Sequence, residues 1–304
     1  MLAVPPKPHI CVCVCTFKRR EFLRRLLSNL ERQRTEELFD YSVVIVDNDE
    51  AESAREIVDC FVRQAKISCS YCVEPEQNIA LARNKAIENA NGDFIAFIDD
   101  DEFPGEQWLL TLYKALNRYK SDGVLGPVLP SFEKEPPKWV LTGRFFDRPT
   151  HPTGHVLAWK HTRTGNALLR RSVFKKDHMW FDPAFGSGGE DRDLFRRKIE
   201  EGFIFVWCNE APVSETVPSI RWKRTVLLKR ALLRGKMALN ATESRLTSVL
   251  LSMLAIALYA SLLPLFILLG HHVFMKYLIK GCDHLGKVLA FFGIDVVEEK
   301  YVRS

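Results

Sequence analysis

The chain has 304 residues, 47% of them hydrophobic and 27% charged, and a formal net charge of +5. That length holds one large domain, or a domain with an appendage, and the composition excludes a disordered or fibrous chain. The charge is unevenly placed: residues 221–245 carry eight Lys or Arg against the single acid Glu243, directly ahead of the charge-free stretch 246–270. Such a juxtaposition predicts contact with an anionic membrane surface, and no nucleic-acid partner is expected.

The opening "MLAVPPKPHI" lacks the cationic start and long apolar run of a secretory signal, so the amino-terminal part is expected in the cytosol with its thiols reduced. "HICVCVC" (9–15) reads as a strand covered on both faces. Its Cys11, Cys13 and Cys15 stand about 6.6–6.8 Å apart along one face of such a strand, too far to share one zinc ion easily. They read as small core hydrophobes, and Cys69-x-x-Cys72 has no second ligand pair at metal spacing. "REFLRRLLSNLERQ" places Phe22, Leu23, Leu26, Leu27 and Leu30 on one helical stripe.

The alternation continues with the strand "YSVVIVDND" (41–49), the helix "AREIVDCFVRQA", the strand "ISCSYCVE", the helix "NIALARNKAIENANG" and the strand "DFIAFIDDD" (93–101). A helix over 105–119 then leads to "GVLGPVL". Repeated β-α units of this size predict an α/β fold, a mostly parallel sheet with helices on both faces. Ligands gather at the carboxyl ends of such strands, where Thr16, Asp47 and Asp99-Asp100-Asp101 fall. Residues 131–161, rich in Pro, Trp and His, read as an irregular insertion or lid. "TGNALLRRSVF" resumes strand character, and "GSGGEDRDLFRRKIEEG" is a Gly-rich loop entering a helix, with Asp193 suited to cap it.

Three adjacent carboxylates at a strand end repel one another unless a cation relieves them, and hard oxygens of this kind suit Mg²⁺ or Mn²⁺ bridged to substrate phosphates. A solvated acidic turn is the alternative. Asn78, Arg83 and Asn84 open the helix that feeds this strand, and Lys18, Arg19 and Arg20 add phosphate-seeking charge. Asp47 is placed to accept from a base or ribose hydroxyl, or to cap a helix.

The ordered run "CVCTFKRR…VVIVDND…NIALARNKAIENANGDFIAFIDDDEFP…TGNALLRRSVF…GSGGEDRDLF" resembles the family 2 glycosyltransferases of GT-A fold, with the flavour of bacterial exopolysaccharide enzymes of the succinoglycan type. The resemblance covers residues 8–235. It implies that Thr16, Phe17 and Arg19 line a nucleotide pocket, with Asp47 on the uracil or its ribose and Asn78 and Arg83 near the nucleotide and diphosphate. Within the acidic triplet it implies Asp99 toward the ribose and the metal, Asp100 in the nucleotide site and Asp101 on the metal. Gly165 and Asn166 are implied beside the sugar, and Glu190-Asp191 matches a Glu-Asp pair whose aspartate is the catalytic base.

"PSIRWKR" partly resembles the Gln-x-x-Arg-Trp motif of processive members, in which Arg and Trp contact diphosphate and acceptor; the carry-over falls on Arg221 and Trp222, with a place on the cationic membrane face as the competing reading of Arg221. Pro218 stands where Gln is expected, which argues for transfer of a single sugar. The implied activity is inverting, metal-dependent transfer of a sugar, from a UDP-sugar, to a lipid-linked or polysaccharide acceptor. Two other readings stay open on the residues: a nucleotidyltransferase, and a non-catalytic membrane scaffold with the same shell.

The charge-free stretch 246–270 is long enough to cross a bilayer, but cations flank both its sides, and "VFMKYLIKGCDHLGKVLAFFGI" after it reads as amphipathic. The expectation is a catalytic domain over 1–218, a cationic interfacial helix over 219–245 and membrane-anchoring helices over 246–304. The anchor is read as a hairpin broken at Pro264 with both ends cytosolic, on the cytoplasmic face of a bacterial inner membrane and in contact with its lipids. A buried helix covering the sheet is the soluble alternative.

Overall fold

A computed structural model describes residues 7–175, 179–186, 188–240, 242 and 244–294. Four strand-helix steps build its first half: β1 (His9–Thr16), α1 (Arg20–Leu30), β2 (Asp40–Asp47), α2 (Arg55–Gln64), β3 (Ser68–Val73), α3 (Ile79–Asn89), β4 (Phe94–Phe97), the short β5 (Glu102–Pro104) and α4 (Trp108–Tyr119). β6 (Gly123–Leu125), β7 (Val128–Phe132), α5 (Lys138–Gly143), β8 (Ala167–Arg170), α6 (Glu190–Glu200), β9 (Phe205–Trp207) and β10 (Val213–Val217) follow. The chain continues as α7 (Arg224–Asn240), α8 (Arg245–Leu268) and α9 (His271–Phe291).

Seven strands form one sheet in the order β3-β2-β1-β4-β8-β6-β9, and β5-β10-β7 form a second. All pairs in the large sheet are parallel except those of β8, which runs antiparallel to β4 and β6. The alternation of β1 decides which layer each side chain enters. Val12 and Val14 pack into the layer containing α1, α2 and α4, while Cys11 and Cys13 enter the opposite layer with Ala80, Ala86 and Ile87 of α3. All eight cysteines are free thiols, and Cys11 and Cys13 are buried among apolar side chains, so β1 uses them as packing atoms.

Register brings the functional motifs to one edge. Thr16 pairs with Asp47 at the ends of β1 and β2. β4 stops at Phe97, opposite Cys13, so the acidic triplet leaves the sheet as a turn rather than extending the strand. Because β8 is antiparallel, its beginning, not its end, lies at this edge: Ala167 pairs with Phe97, with Gly165 and Asn166 just ahead of it. The strand over "TGNALLRRSVF" is accordingly short, and Arg171–Phe174 is a 3-10 turn.

Contacts divide the chain into two compact units, one running to Leu129 and from Arg148 to Glu215, the other comprising Pro130–Asp147 and Thr216 onward. The expected irregular insertion is thus divided between them, and it contains α5. In the second unit the cationic stretch is a 3-10 turn, Ser219–Trp222, followed by α7. The ten residues 295–304 at the end of the expected anchor lie outside the described residues, as does Ser187 of the Gly-rich loop.

The hairpin differs from expectation at its bend. α8 runs unbroken through Pro264, and the chain reverses at Leu269 and Gly270, where Gly270 takes φ +118°. Proline removes one helical hydrogen bond but does not force a turn. Only 6% of the most apolar 18-residue stretch of α8 is buried, which differs from the soluble alternative of a covered core helix.

Candidate active site

Thr16 ends β1 and donates its hydroxyl to Asp100 Oδ2 at 2.8 Å. Arg19, at the start of α1, reaches the same turn and donates to Asp100 Oδ1 at 2.8 Å and to Asp101 Oδ2 at 3.2 Å. Burial pushes Asp100 up to about 6, opposed by Arg19. Phe17 and Lys18 lie between these anchors; Lys18 takes φ +55°, its ammonium 5.0 Å from the Phe17 ring centroid and 3.8 Å from Asp49.

Asp47 divides its carboxylate. Oδ2 accepts from the Ala54 amide at 2.7 Å, fixing the entry to α2, and from the Tyr71 hydroxyl at 2.9 Å. Oδ1 is buried with no hydrogen-bond partner. Burial raises the carboxyl above its ordinary value. One oxygen thus fixes the start of α2, and the other is left without a partner.

Asn78 is committed to structure. Its Oδ1 accepts from the Ala80 and Leu81 amides as the cap of α3, and its Nδ2 donates to the Pro183 carbonyl at 3.0 Å. Asn84 exchanges two hydrogen bonds with the Phe181 backbone, at 2.8 and 2.9 Å. Together they pin residues 181–186 onto α3, and this pinned segment leads into α6. Gly186 packs so closely against Asn78 that a Cβ there would lie 2.3 Å from its amide.

Arg83, on the same helix, is buried and joins two motifs. Nη1 donates to Glu190 Oε1, and Nη2 donates to Asp99 Oδ1 at 3.2 Å. Burial opposes the charge of Arg83, but Glu190 and Asp99 hold it above its ordinary value. Burial pushes Glu190 up to about 7 against the attraction of Arg83, and Glu190 Oε2 has no partner. Asp191, the next residue, is partly exposed, with Oδ1 accepting from the Arg192 amide at 2.7 Å. Asp193 does not cap α6: it pairs with Arg196 at 3.0 Å and Arg197 at 2.9 Å, while Gly189, at φ +100°, occupies the cap position. Facing charges one turn on attract it more strongly than the helix's own amides.

Gly165 and Asn166 part company. A Cβ on Gly165 would lie 2.6 Å from Glu102 Oε1 and 3.0 Å from Asp99 Oδ2, so the backbone itself lies against the carboxylates. Asn166 is fully buried; it accepts from Trp108 Nε1 and donates to the carbonyls of Pro127 and Ala211. Its amide joins α4 to two loops and has no donor left for a sugar. This differs from the expectation that Asn166 flanks the sugar.

Sequence reasoning missed Glu102, Arg148 and Arg163. Glu102 is fully buried, accepts from the Asp99 amide through Oε2, and leaves Oε1 without a hydrogen bond, 3.9 Å from Arg148 Nη1. Burial and then Asp99 raise its carboxyl well above the ordinary range. Arg148 also pairs with Glu215, the residue that faces Glu102 between β5 and β10. Arg163 is partly buried, and its Nε lacks a hydrogen-bond partner. The only available signal for Glu102 was its position directly after the acidic triplet.

Arg221 and Trp222 belong to the second unit, where the Trp222 ring packs edge-on to Phe132 at 5.7 Å. Among the described residues no three His, Cys, Asp or Glu side chains form a ready cage for a metal ion. The acidic turn fits a hard cation that keeps waters and substrate oxygens: Asp99 is half exposed, and Glu102 Oε1 beside it is buried without a hydrogen-bond partner.

The profile of "Glycosyl transferase family 2" matches residues 11–177. The succinoglycan biosynthesis protein ExoM of Rhizobium meliloti is 35% identical over 232 residues, covering 75% of this chain and 73% of ExoM. A glucosyl-dolichyl phosphate glucuronosyltransferase of Haloferax volcanii is 25% identical, covering 78% of this chain and 71% of its own. Among solved structures, S. aureus TarS 1-349 in complex with UDP-GlcNAc superposes with TM-score 0.55 at 17% identity, covering 73% of this chain and 65% of TarS 1-349. The mannosyltransferase PcManGT from Pyrobaculum calidifontis, in complex with GDP-Man and Mn²⁺, gives TM-score 0.55 at 18% identity, covering 75% and 62%. The chain thus spans less than two thirds of these structural neighbours, whose likeness establishes the GT-A fold.

Proposed function

The chain belongs to glycosyl transferase family 2, and on that premise we propose that it transfers one sugar, with inversion, from a UDP-sugar to a lipid-linked or polysaccharide acceptor in the synthesis of a surface glycan. The observation that carries this reading is the convergence of Thr16, Arg19, Arg83 and Glu190 on the acidic turn 99–101 at one sheet edge. The comparison with an exopolysaccharide protein and with a UDP-GlcNAc complex supports the donor class.

Asp47 Oδ1 and Thr16 receive the nucleoside, and Arg19 orients the turn by holding Asp100 and Asp101. Asp99 and Asp101 hold Mg²⁺ or Mn²⁺, which when bound supplies positive charge to the leaving diphosphate. Arg83 adds buried positive charge and fixes Asp99 relative to Glu190. Asp191, the exposed member of its pair, takes the proton from the acceptor hydroxyl as that oxygen bonds to the anomeric carbon. The nucleoside diphosphate departs from the opposite face, so configuration inverts. Arg221 and Trp222 are assigned to diphosphate and acceptor, and Pro218 favours a single transfer. The division into a catalytic part and a membrane part, on the cytoplasmic face of a bacterial inner membrane, belongs to this proposal; the apolar α8 supports it.

The test is a transfer screen against UDP-, GDP- and dTDP-sugars with Mn²⁺ and a lipid-linked saccharide. Release of UDP together with an extended acceptor is expected; release of pyrophosphate contradicts sugar transfer.

A further inference from the structure

Three helices of the second unit are layered, with α9 between α7 and α8. Two glycines set the α7-α9 spacing: a Cβ on Gly235 would lie 2.0 Å from the Asp283 carbonyl, and one on Gly286 2.1 Å from that of Leu232. Arg234 and Asp283 join the same two helices at 2.9 Å. On its other side α9 meets α8 along its length: Phe266 stacks on Tyr277 at 4.1 Å, Tyr259 lies 5.7 Å from Tyr277, and Ser252 is 3.1 Å from His284 Nδ1.

The face of α8 turned away from α9 carries Leu246, Leu250, Leu254, Leu258, Leu265 and Leu268, all exposed. Lys276, Lys280 and Lys287 recur at helical spacing on one side of α9, over about 16 Å of its axis. The aromatic pairs place this cationic stripe beside the middle of α8, Lys280 being level with Tyr259.

We infer that α8 lies flat in the surface of an anionic phospholipid leaflet, outer face down, with the α9 lysines at headgroup level, and does not cross the bilayer. This rests on the membrane association proposed above and specifies its geometry. A crossing α8 would carry the α9 lysines and Asp283 through the hydrocarbon, where charge is expelled. A second constraint is independent of charge. The turn end of the hairpin is held by α5, with Trp139 edge-on to His271 at 5.2 Å. Only residues 133–137 separate α5 from β7, a reach of about 20 Å when extended, short of the roughly 30 Å hydrocarbon core. The turn at 269–270 therefore stays on the side of the membrane where β7 lies. A flat helix with apolar leucines below and lysines beside them matches an anionic interface in both hydrophobicity and charge.

The experiment places a nitroxide at Leu250→Cys, Ala257→Cys or Leu265→Cys, each in a Cys60→Ser full-length chain that removes the exposed native thiol. Each is bound to vesicles containing phosphatidylglycerol, and depth is read from collision with oxygen against a water-soluble nickel complex. A flat helix gives the same oxygen-to-nickel ratio at all three positions, within twofold, and binding that falls at least tenfold in vesicles of phosphatidylcholine alone. A ratio at Ala257 more than fivefold above the two others marks a crossing helix and overturns the inference while leaving membrane association intact. Nickel access at all three equal to that in free protein overturns both.

Discussion

Arg83 donates one guanidinium nitrogen to Glu190 and another to Asp99, so a residue of α3 fixes the acidic turn relative to the start of α6. The two motifs are 91 positions apart in the chain, and this side chain bridges them. Removing it leaves a buried carboxylate unpaired. Arg83→Ala is expected to cost about 3–5 kcal/mol of stability and essentially all transfer. Arg83→Lys keeps the charge but not the fork, and should recover most of the stability and little of kcat. Denaturation midpoints and steady-state rates on the same preparations check both.

Asp100 and Glu190 have carboxyls raised by burial to about 6 and about 7, above their ordinary values of 3.8 and 4.5. A raised acid binds its proton more tightly when folded, so its contribution to stability is present at low pH and is lost as pH rises toward the folded value. The metal-free protein should therefore lose stability on going from about pH 4 to about pH 7. Asp100→Asn should flatten that slope between about pH 4 and 6. A slope unchanged in the variant assigns it to other groups.

A cation relieves the same repulsion. With saturating Mn²⁺ at about a hundred times its dissociation constant, stabilisation of about 2.7 kcal/mol is expected, and EDTA should remove it. Asp101→Asn should abolish most of the shift in Tm. Equal Tm with Mn²⁺ and with EDTA contradicts a metal at this turn.

Gly165 and Asn166 are adjacent but predict opposite phenotypes. Gly165→Ala drives a methyl group against Glu102 and Asp99, and should lower kcat at least tenfold with a modest change in stability. Asn166→Ala strands two buried carbonyls and the Trp108 indole, a loss on the order of 3 kcal/mol, with activity per folded molecule largely kept. Thermal melts and active-site-normalised rates separate the two.

This contrast also marks what was legible in the sequence. The alternating Cys-Val pattern of β1, the stripe of α1 and the carboxylates following β4 are local patterns, and each predicts an element the chain forms. The amides of Asn78 and Asn166 are held by backbone groups distant in the sequence, partners that no local motif displays. Glu102, Arg148 and Glu215 form one charge group brought together by pairing of β5 with β10, which no local spacing encodes. The bend at Gly270 rather than Pro264 likewise follows from the packing of α8 on α9.

The central claim is that Asp191 accepts the acceptor's proton during sugar transfer. The most direct measurement compares Asp191→Asn with the unchanged chain, using the preferred sugar nucleotide, Mn²⁺ and acceptor, with donor binding measured in parallel. The account predicts kcat lower by about 10²–10⁴-fold with donor affinity within a few-fold. Transfer at a normal rate by Asp191→Asn, with every substrate present, contradicts it.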